Sequence, residues 1–338
     1  MEPWLACETR GLTQSWMRHD QVRLRDYLVQ DVQDPRLNVA SILGRHFLIR
    51  GLFPGRFAEL MRREIRFGIV ANALLALTKS HDFRERLDTA CAALVEGPTD
   101  GSAGALPAYV FEAASALPAW ADGVLVPDYL RESLAWLSSH AADLADCRPD
   151  GSTFERLWRD VLAREDHRPV RVLEPACGSA NDYRFIDAFG IARFLDYAGF
   201  DLCEKNKENA RAMFPGITFN VGNVLQIDAP DKSFDYCFVH DLFEHLSIEA
   251  MEVAVAEICR VTRRGLLVGF FRMHEGAEHI VFRCCDYHIN SLSAAGVGAL
   301  FRRRAADVRV TRIDTMLRQQ FGCPDTPNPN AYVLEATF

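Results

Sequence analysis

The chain has 338 residues, 49% of them hydrophobic and 25% charged, an ordinary globular composition at a length that suits about two domains. A formal net charge of -8 argues against a protein built to lie along a nucleic-acid backbone, which needs a basic footprint. No apolar run approaches the roughly 18 residues of a membrane span, and the first forty residues lack the basic start and short apolar stretch of a secretory signal, so a cytoplasmic protein without a membrane partner is expected.

From Thr13 to about His140 the pattern is helical. The stretch SWMRHDQVRLRDYLVQDV places Met17, Val22, Leu24, Leu28 and Val32 at roughly helical spacing. Asp34-Pro35 is a helix-start signal, an aspartate cap followed by proline at the first helical position. After Gly51 and Pro54-Gly55, RFAELMRREIRFGIVANALLAL predicts a long helix with Phe57, Leu60, Met61, Ile65, Val70 and Leu74 inward and a break near Gly68. Residues 96–107 form a glycine- and proline-rich loop, Val126-Pro127-Asp128 opens another helix, and residues 146–152 are the best linker. Residues 1–150 are therefore expected to be an all-helical lid or oligomerisation domain, with a homodimer as one outcome. TFERLWRDVLARE then predicts a helix leading into the second half, residues 151–338.

Beyond Val170 the rhythm changes to short runs rich in Val, Ile and aromatics: VRVLE, YAGFD, TFNVG, DYCFVH and GLLVGFF, each followed by polar or helix-forming sequence. That alternation predicts an α/β fold with a parallel sheet and crossover helices. Two more runs, DVRVTRI and AYVLEATF, close the chain. The ten cysteines contain no CxxC pair and sit mostly in apolar contexts, as small buried hydrophobes do. Cys284-Cys285, and the spacings of His274 with His279 and Asp286 with His288, match no strong ligand signature, so no metal is expected.

In doubly wound sheets the ligand sits beyond the carboxyl ends of the strands, which directs attention to RVLEPACGSAND. A dinucleotide fingerprint wants GxGxxG, whereas the corresponding places here hold Ala176, Gly178 and Asn181. A carboxylate at Glu174 repels a pyrophosphate but attracts a cationic adenosyl ligand. S-adenosylmethionine has that charge, and its own carboxylate suits the amide hydrogens of a helix start.

VLEPACGSAND resembles motif I of the class I S-adenosylmethionine-dependent methyltransferases, and the later runs are similar to the family's following motifs in the same order. The resemblance covers about Val170 to Phe338. It implies a Rossmann-like sheet of seven strands, the last antiparallel, with helices on both faces. It also implies a cofactor site made of Glu174, Pro175, Ala176, Cys177, Gly178 and Asn181; of Asp201 on the ribose hydroxyls and Leu202 on adenine; of Asn223 and Val224 near adenine; and of His240 and Asp241 after the fourth strand. A Gly-Asp pair usual at the third strand end is Gly222-Asn223 here.

Methyl transfer from a sulfonium mainly requires positioning and exclusion of water, and an acceptor that must lose a proton gains from a nearby base. His240 is the first candidate, with His245 and His274 after it. Phe243 is either a cation–π partner for the sulfonium or a core aromatic. Arg272, His279, Tyr287, His288 and Asn290 are expected to line the acceptor pocket, Tyr287 and Asn290 having packing and turn roles as the alternative. The expected function is methylation of an oxygen or nitrogen on a small molecule such as a secondary metabolite or sugar. A protein methyltransferase and a non-catalytic cofactor-binding regulator are the alternatives.

Overall fold

The computed structural model describes residues 38–78, 154–284, 287–323, 326 and 328–338. The helices expected before Asp34 and after Val126, the Asp34-Pro35 start, the loop 96–107, the linker 146–152, Cys285 and Asp286 lie outside them. Among the described residues no helix is long and apolar enough to cross a membrane.

Two helices represent the N-terminal half. Helix α1 (Val39–Leu52) begins at Asn38, whose side chain accepts from the amides of Ala40 (2.9 Å) and Ser41 (3.4 Å), satisfying two of the orphan donors at a helix start. Helix α2 (Ala58–Thr78) runs without interruption through Gly68, so the expected break does not occur: Gly68 is buried in the helix interior, where the lost helix propensity of about 1 kcal/mol is offset by packing. Met61 and Ile65 are buried as expected, Phe57 and Leu60 half-buried, while the side chains of Val70 and Leu74 are not described.

Helix α3 (Phe154–Leu162) leads into β1 (Val170–Pro175), α4 (Asn181–Ala188), β2 (Leu195–Asp201), α5 (Glu204–Met213), β3 (Thr218–Val221) and β4 (Phe234–His240). Then come α6 (Ile248–Val261), β5 (Thr262–Phe270), the short strands β6 (Met273–His274), β7 (Arg283–Cys284), β8 (Tyr287–His288) and β9 (Leu292–Ser293), α7 (Ala294–Arg302), β10 (Asp307–Arg312), α8 (Ile313–Phe321) and β11 (Tyr332–Thr337). The main sheet has the order β10-β11-β5-β4-β1-β2-β3. β11 is antiparallel to both β5 and β10, and the remaining pairs are parallel. All seven expected runs are strands of it, and the terminal one is antiparallel as anticipated.

Alternation of side chains along each strand divides the core in two. Val172, Tyr197, Tyr236, Phe238 and Leu267 face α1, α2, α3, α4 and α8. Leu173, Phe200, Val239, Leu266 and Val268 face α6 and α7. Helix α1 thus covers the sheet itself. Its Gly44 and Gly51, two turns apart, let the backbone approach His240 and Tyr236: a Cβ on Gly51 would lie 2.7 Å from the Tyr236 ring, and one on Gly44 3.0 Å from His240 Cε1. The Tyr236 hydroxyl donates to the Gly51 carbonyl (3.1 Å).

Beneath α1 and α2 lies a buried ionic cluster. Glu64 accepts from Arg45 Nη2 (2.8 Å), His46 Nε2 (2.6 Å) and Trp158 Nε1 (2.6 Å), none of the four more than 3% exposed. Arg45 also lies over the Phe189 ring, 4.2 Å from its centroid. Burial opposes the charge on Glu64, but Arg45 and His46 outweigh it and hold the carboxyl near 2. This cluster ties α1, α2 and α3 together in one core with the sheet.

Candidate active site

The order of the strands reverses between β1 and β4, which opens a crevice at their carboxyl ends. The turn after β1 is the first wall. Ala176, Gly178 and Ala180 have φ of +57°, +54° and +65°, the left-handed region in which each alanine costs roughly 1–2 kcal/mol. The turn holds this shape because it is bonded to β2: Cys177 N–H donates to the Phe200 carbonyl (3.1 Å) and Gly178 N–H to Asp201 Oδ2 (3.0 Å). Asp201 Oδ1 accepts from Cys203 N–H (2.8 Å) and Asn206 Nδ2 (3.1 Å). Of about four acceptor positions on a carboxylate, three are used and one remains for a hydroxyl.

One expectation for this wall changes. The Gly178 amide is bonded to Asp201, and the helix start beyond it is the first turn of α4, whose N-cap Ala180 brings no side-chain acceptor and leaves it open to an anionic group. Glu174, expected as an open negative charge, is 3% exposed and takes a hydrogen bond from the Tyr197 hydroxyl. Burial pushes its carboxyl well above the usual range. Asn181 Oδ1, buried and without a partner among the described residues, is an acceptor suited to an ammonium group. Pro175 ends β1, Cys177 is buried in the core below the turn, and Leu202 is half-buried after Asp201. Asn223 accepts from the Leu225 amide within its own turn (2.9 Å), and Val224 packs in the core with Phe200 and Ile227.

At the end of β4, His240 Nδ1 meets Asp182 Oδ2 at 2.7 Å. Burial works against the imidazolium, but the Asp182 charge and hydrogen bond raise the pKa above its ordinary value. Its Nε2 is buried without a partner, packed between Gly44 of α1 and Gly269 of β5 (3.2 and 3.1 Å from where their Cβ atoms would be). His240 is therefore an ion-pair partner locked under α1. Asp241 follows with an exposed side chain and φ of +52°, its N–H donating to the Gly269 carbonyl (3.0 Å).

The second wall is made of residues 271–284 and 287–293, after β5. Phe243 has no exposed surface and packs on Phe270 and Phe301, so it is the core aromatic of the two roles considered. Asn290 is also fully buried, with Nδ2 donating to the Leu246 carbonyl (2.7 Å) and Oδ1 accepting from the Phe282 amide (3.2 Å). Both ends of its amide are engaged by backbone, and it holds the segment's shape instead of binding a substrate. Glu244 is buried and Oε1 accepts from the amides of Phe271 (2.7 Å) and Arg272 (3.2 Å); burial pushes its carboxyl up to about 8.

His245 Nδ1 lies 3.0 Å from the His288 carbonyl, and its ring leans on Phe271 and Tyr287. His274 Nδ1 accepts from the Gly276 amide (2.9 Å) and His279 Nδ1 from the Ser293 amide (3.1 Å). Arg272 covers the Phe282 ring at 5.0 Å. Tyr287 and His288 are half-buried on β8, and Ile280, Val281 and Phe282 are exposed. No group of three metal-ligating side chains occurs among the described residues.

Sequence reasoning placed Glu244 only among the residues just past the fourth strand, near the methyl, and did not single out Asp182, Tyr197 or the Glu64 cluster. Only Glu64 left a signal: it falls seven residues after Phe57 and four after Leu60, on the face expected to be buried.

Residues 173–269, which span β1 to β5, match a family model described as a methyltransferase domain. By that match this part of the chain is a methyltransferase domain, in keeping with its resemblance to the class I S-adenosylmethionine-dependent methyltransferases. Its cofactor is S-adenosylmethionine, and the open start of α4, the lone acceptor Asn181 Oδ1 and the remaining position on Asp201 fit that ligand's carboxylate, ammonium and ribose. The methyltransferase domain is similar to an S-adenosylmethionine-dependent methyltransferase from Mesorhizobium loti (15% identity, 54% of this chain and 96% of that chain, TM-score 0.40). It is also similar to the 1,6-didemethyltoxoflavin-N1-methyltransferase of Burkholderia thailandensis (15%, 62% and 87%, TM-score 0.38). A Haloferax volcanii methyltransferase in complex with its Trm112 activator is a third (15%, 54% and 90%, TM-score 0.38). Comparison with curated proteins gave no match.

Proposed function

We propose that the protein transfers the methyl group of S-adenosylmethionine to an oxygen or nitrogen of a small molecule, such as a secondary metabolite or a sugar. The observation that carries this reading is the second wall. The chain devotes residues 271–284 and 287–293 to a folded segment after β5, pinned from below by Glu244 and Asn290. It presents Arg272, Tyr287 and His288 together with apolar Ile280 to Phe282. A mixed polar and apolar surface on a rigid base suits orientation of one compact acceptor, and orientation is most of what methyl transfer asks of a protein.

In this reading the residues divide by task. Asp201 and Leu202 hold the adenosyl group, Asn181 and the start of α4 hold the amino-acid end, and helices α1 and α2 close the first face of the sheet as a fixed wall. Bound S-adenosylmethionine supplies a methyl carbon on a positive sulfur, an already activated leaving group. Exclusion of water falls to the segment after β5, which covers the acceptor side.

Calorimetry with S-adenosylmethionine tests the cofactor assignment: Asp201→Ala is expected to weaken binding on the order of 100-fold, since it removes a charged acceptor. Incubation with methyl-labelled cofactor and a small-molecule extract, set beside a protein extract, tests the acceptor class. Label in small molecules alone is the expected result; label confined to protein, or none at all despite binding, refutes it.

A further inference from the structure

We infer that His245 is the group that takes the proton from the methyl acceptor. The inference rests on the proposed methyl transfer and states which nitrogen serves it. A backbone partner fixes the tautomer of a neutral histidine, because a carbonyl can only accept and an amide N–H can only donate.

His245 Nδ1 faces the His288 carbonyl at 3.0 Å, so Nδ1 carries the hydrogen and Nε2 is left with a bare lone pair. No described residue bonds that Nε2, and it is not sealed, whereas Nε2 of His240 and of His274 are. The ring is held by Phe271 (5.4 Å between centroids, 32° between planes) and Tyr287 (6.3 Å, 53°).

Two histidines of the segment after β5, His274 and His279, are arranged oppositely. The amides of Gly276 and Ser293 donate to Nδ1 of His274 and His279, so the hydrogen of each neutral ring is on Nε2, which can only donate. His240 is paired with Asp182 and its second nitrogen is covered by α1. An unsealed free acceptor nitrogen is thus particular to His245 among these four, on the turn that follows β4.

In the transfer, a lone pair of the acceptor oxygen or nitrogen forms a bond to the methyl carbon. The carbon–sulfur bond breaks and its electron pair stays on sulfur, leaving a neutral thioether. The acceptor's proton passes to His245 Nε2, and the imidazolium later returns it to water. Burial lowers the His245 pKa and outweighs the His288 carbonyl, which raises it, so the ring is neutral near pH 7. Around it stand Glu244 on its own turn, Arg272 after β5, and Tyr287 and His288 on β8; burial holds Glu244 toward its neutral acid.

The experiment pairs ¹⁵N-histidine spectroscopy with kinetics. In the wild type one ring, identified by its absence from His245→Asn, should show the Nδ1–H tautomer and titrate below 6.5. Asparagine retains a donor to the His288 carbonyl, so the variant should fold and bind S-adenosylmethionine as the wild type does. With labelled cofactor and a panel of phenols and primary amines, its turnover of a phenol should fall on the order of 10²- to 10⁴-fold. The rise of kcat with pH through the His245 pKa should also vanish. An Nε2–H tautomer, or turnover within threefold of wild type, overturns the assignment. If the wild type methylates nothing in the panel, that is a failure of the proposed function, and the tautomer still decides the assignment.

Discussion

Glu64 and Glu244 have no exposed surface, yet they hold opposite charge states. Glu64, in the helical region that closes the first face of the sheet, sits among Arg45, His46 and Trp158 and stays ionised to about pH 2. Glu244, under the acceptor wall, has two backbone amides and no cation among its hydrogen-bond partners, and its proton is held up to about pH 8. Burial disfavours charge at both. A guanidinium within hydrogen-bond distance reverses the outcome at one, whereas neutral amides do not at the other. The first arrangement anchors helices to a sheet; the second clamps the turn after β4 to the end of β5 without placing a fixed charge beside the site.

The largest expected effect comes from removing the anion of the first region. Glu64→Gln leaves Arg45 buried without its counter-charge and should destabilise the fold by about 3–5 kcal/mol, read as a drop in the urea midpoint. Glu244→Ala, which orphans the amides of Phe271 and Arg272, should cost about 2–4 kcal/mol at neutral pH. Trp158→Phe keeps the aromatic packing and removes one of three donors to Glu64, a loss of about 1–2 kcal/mol; a loss as large as that of Glu64→Gln would show that the indole, not the ion pair, anchors the helices.

The smallest effect at neutral pH is the most diagnostic. Glu244→Gln should change stability by less than about 1 kcal/mol at pH 7, because the native side chain is already neutral there. The sign of the pH dependence separates the two regions. A carboxyl raised on folding binds its proton more tightly in the native state, so Glu244 contributes stability that is intact below about pH 4.5 and lost as pH rises to about 8. Glu64, lowered on folding, contributes stability present above about pH 4.5 and lost as pH falls toward 2. Urea midpoints across pH 3–8.5 should therefore flatten on the alkaline side in Glu244→Gln and keep the acid limb. An unchanged alkaline limb would show that Glu244 is ionised in the native protein.

The turn proposed for the cofactor was largely legible in the sequence, and the arrangement of the segment after β5 was not. The turn after β1 depends on local backbone geometry, and Ala176, Gly178 and Ala180 occupy consecutive alternate positions of one short segment. Asp201 was legible too, although its bonds to Gly178, Cys203 and Asn206 were not. On the acceptor side the histidines could be counted but not ranked. The His288 carbonyl that faces His245 and the Asp182 that holds His240 are 43 and 58 residues away in the chain. Phe243 and Asn290 could be read either as ligands or as packing residues, because aromatic and amide side chains serve core and site equally well; only their zero exposure separates the two.

By itself the sequence determined the alternation of strands and helices, the seven-stranded sheet with its antiparallel last strand, and the place of the cofactor turn, since each is encoded by periodicity and residue type over a few neighbouring positions. Tertiary structure alone decided which carboxyls are charged, which histidine nitrogen is free, and that α1 and α2 share the core of the sheet. Those properties depend on distances between groups far apart in the chain, and protonation responds to the nearest charge and the depth of burial, neither of which a linear pattern contains.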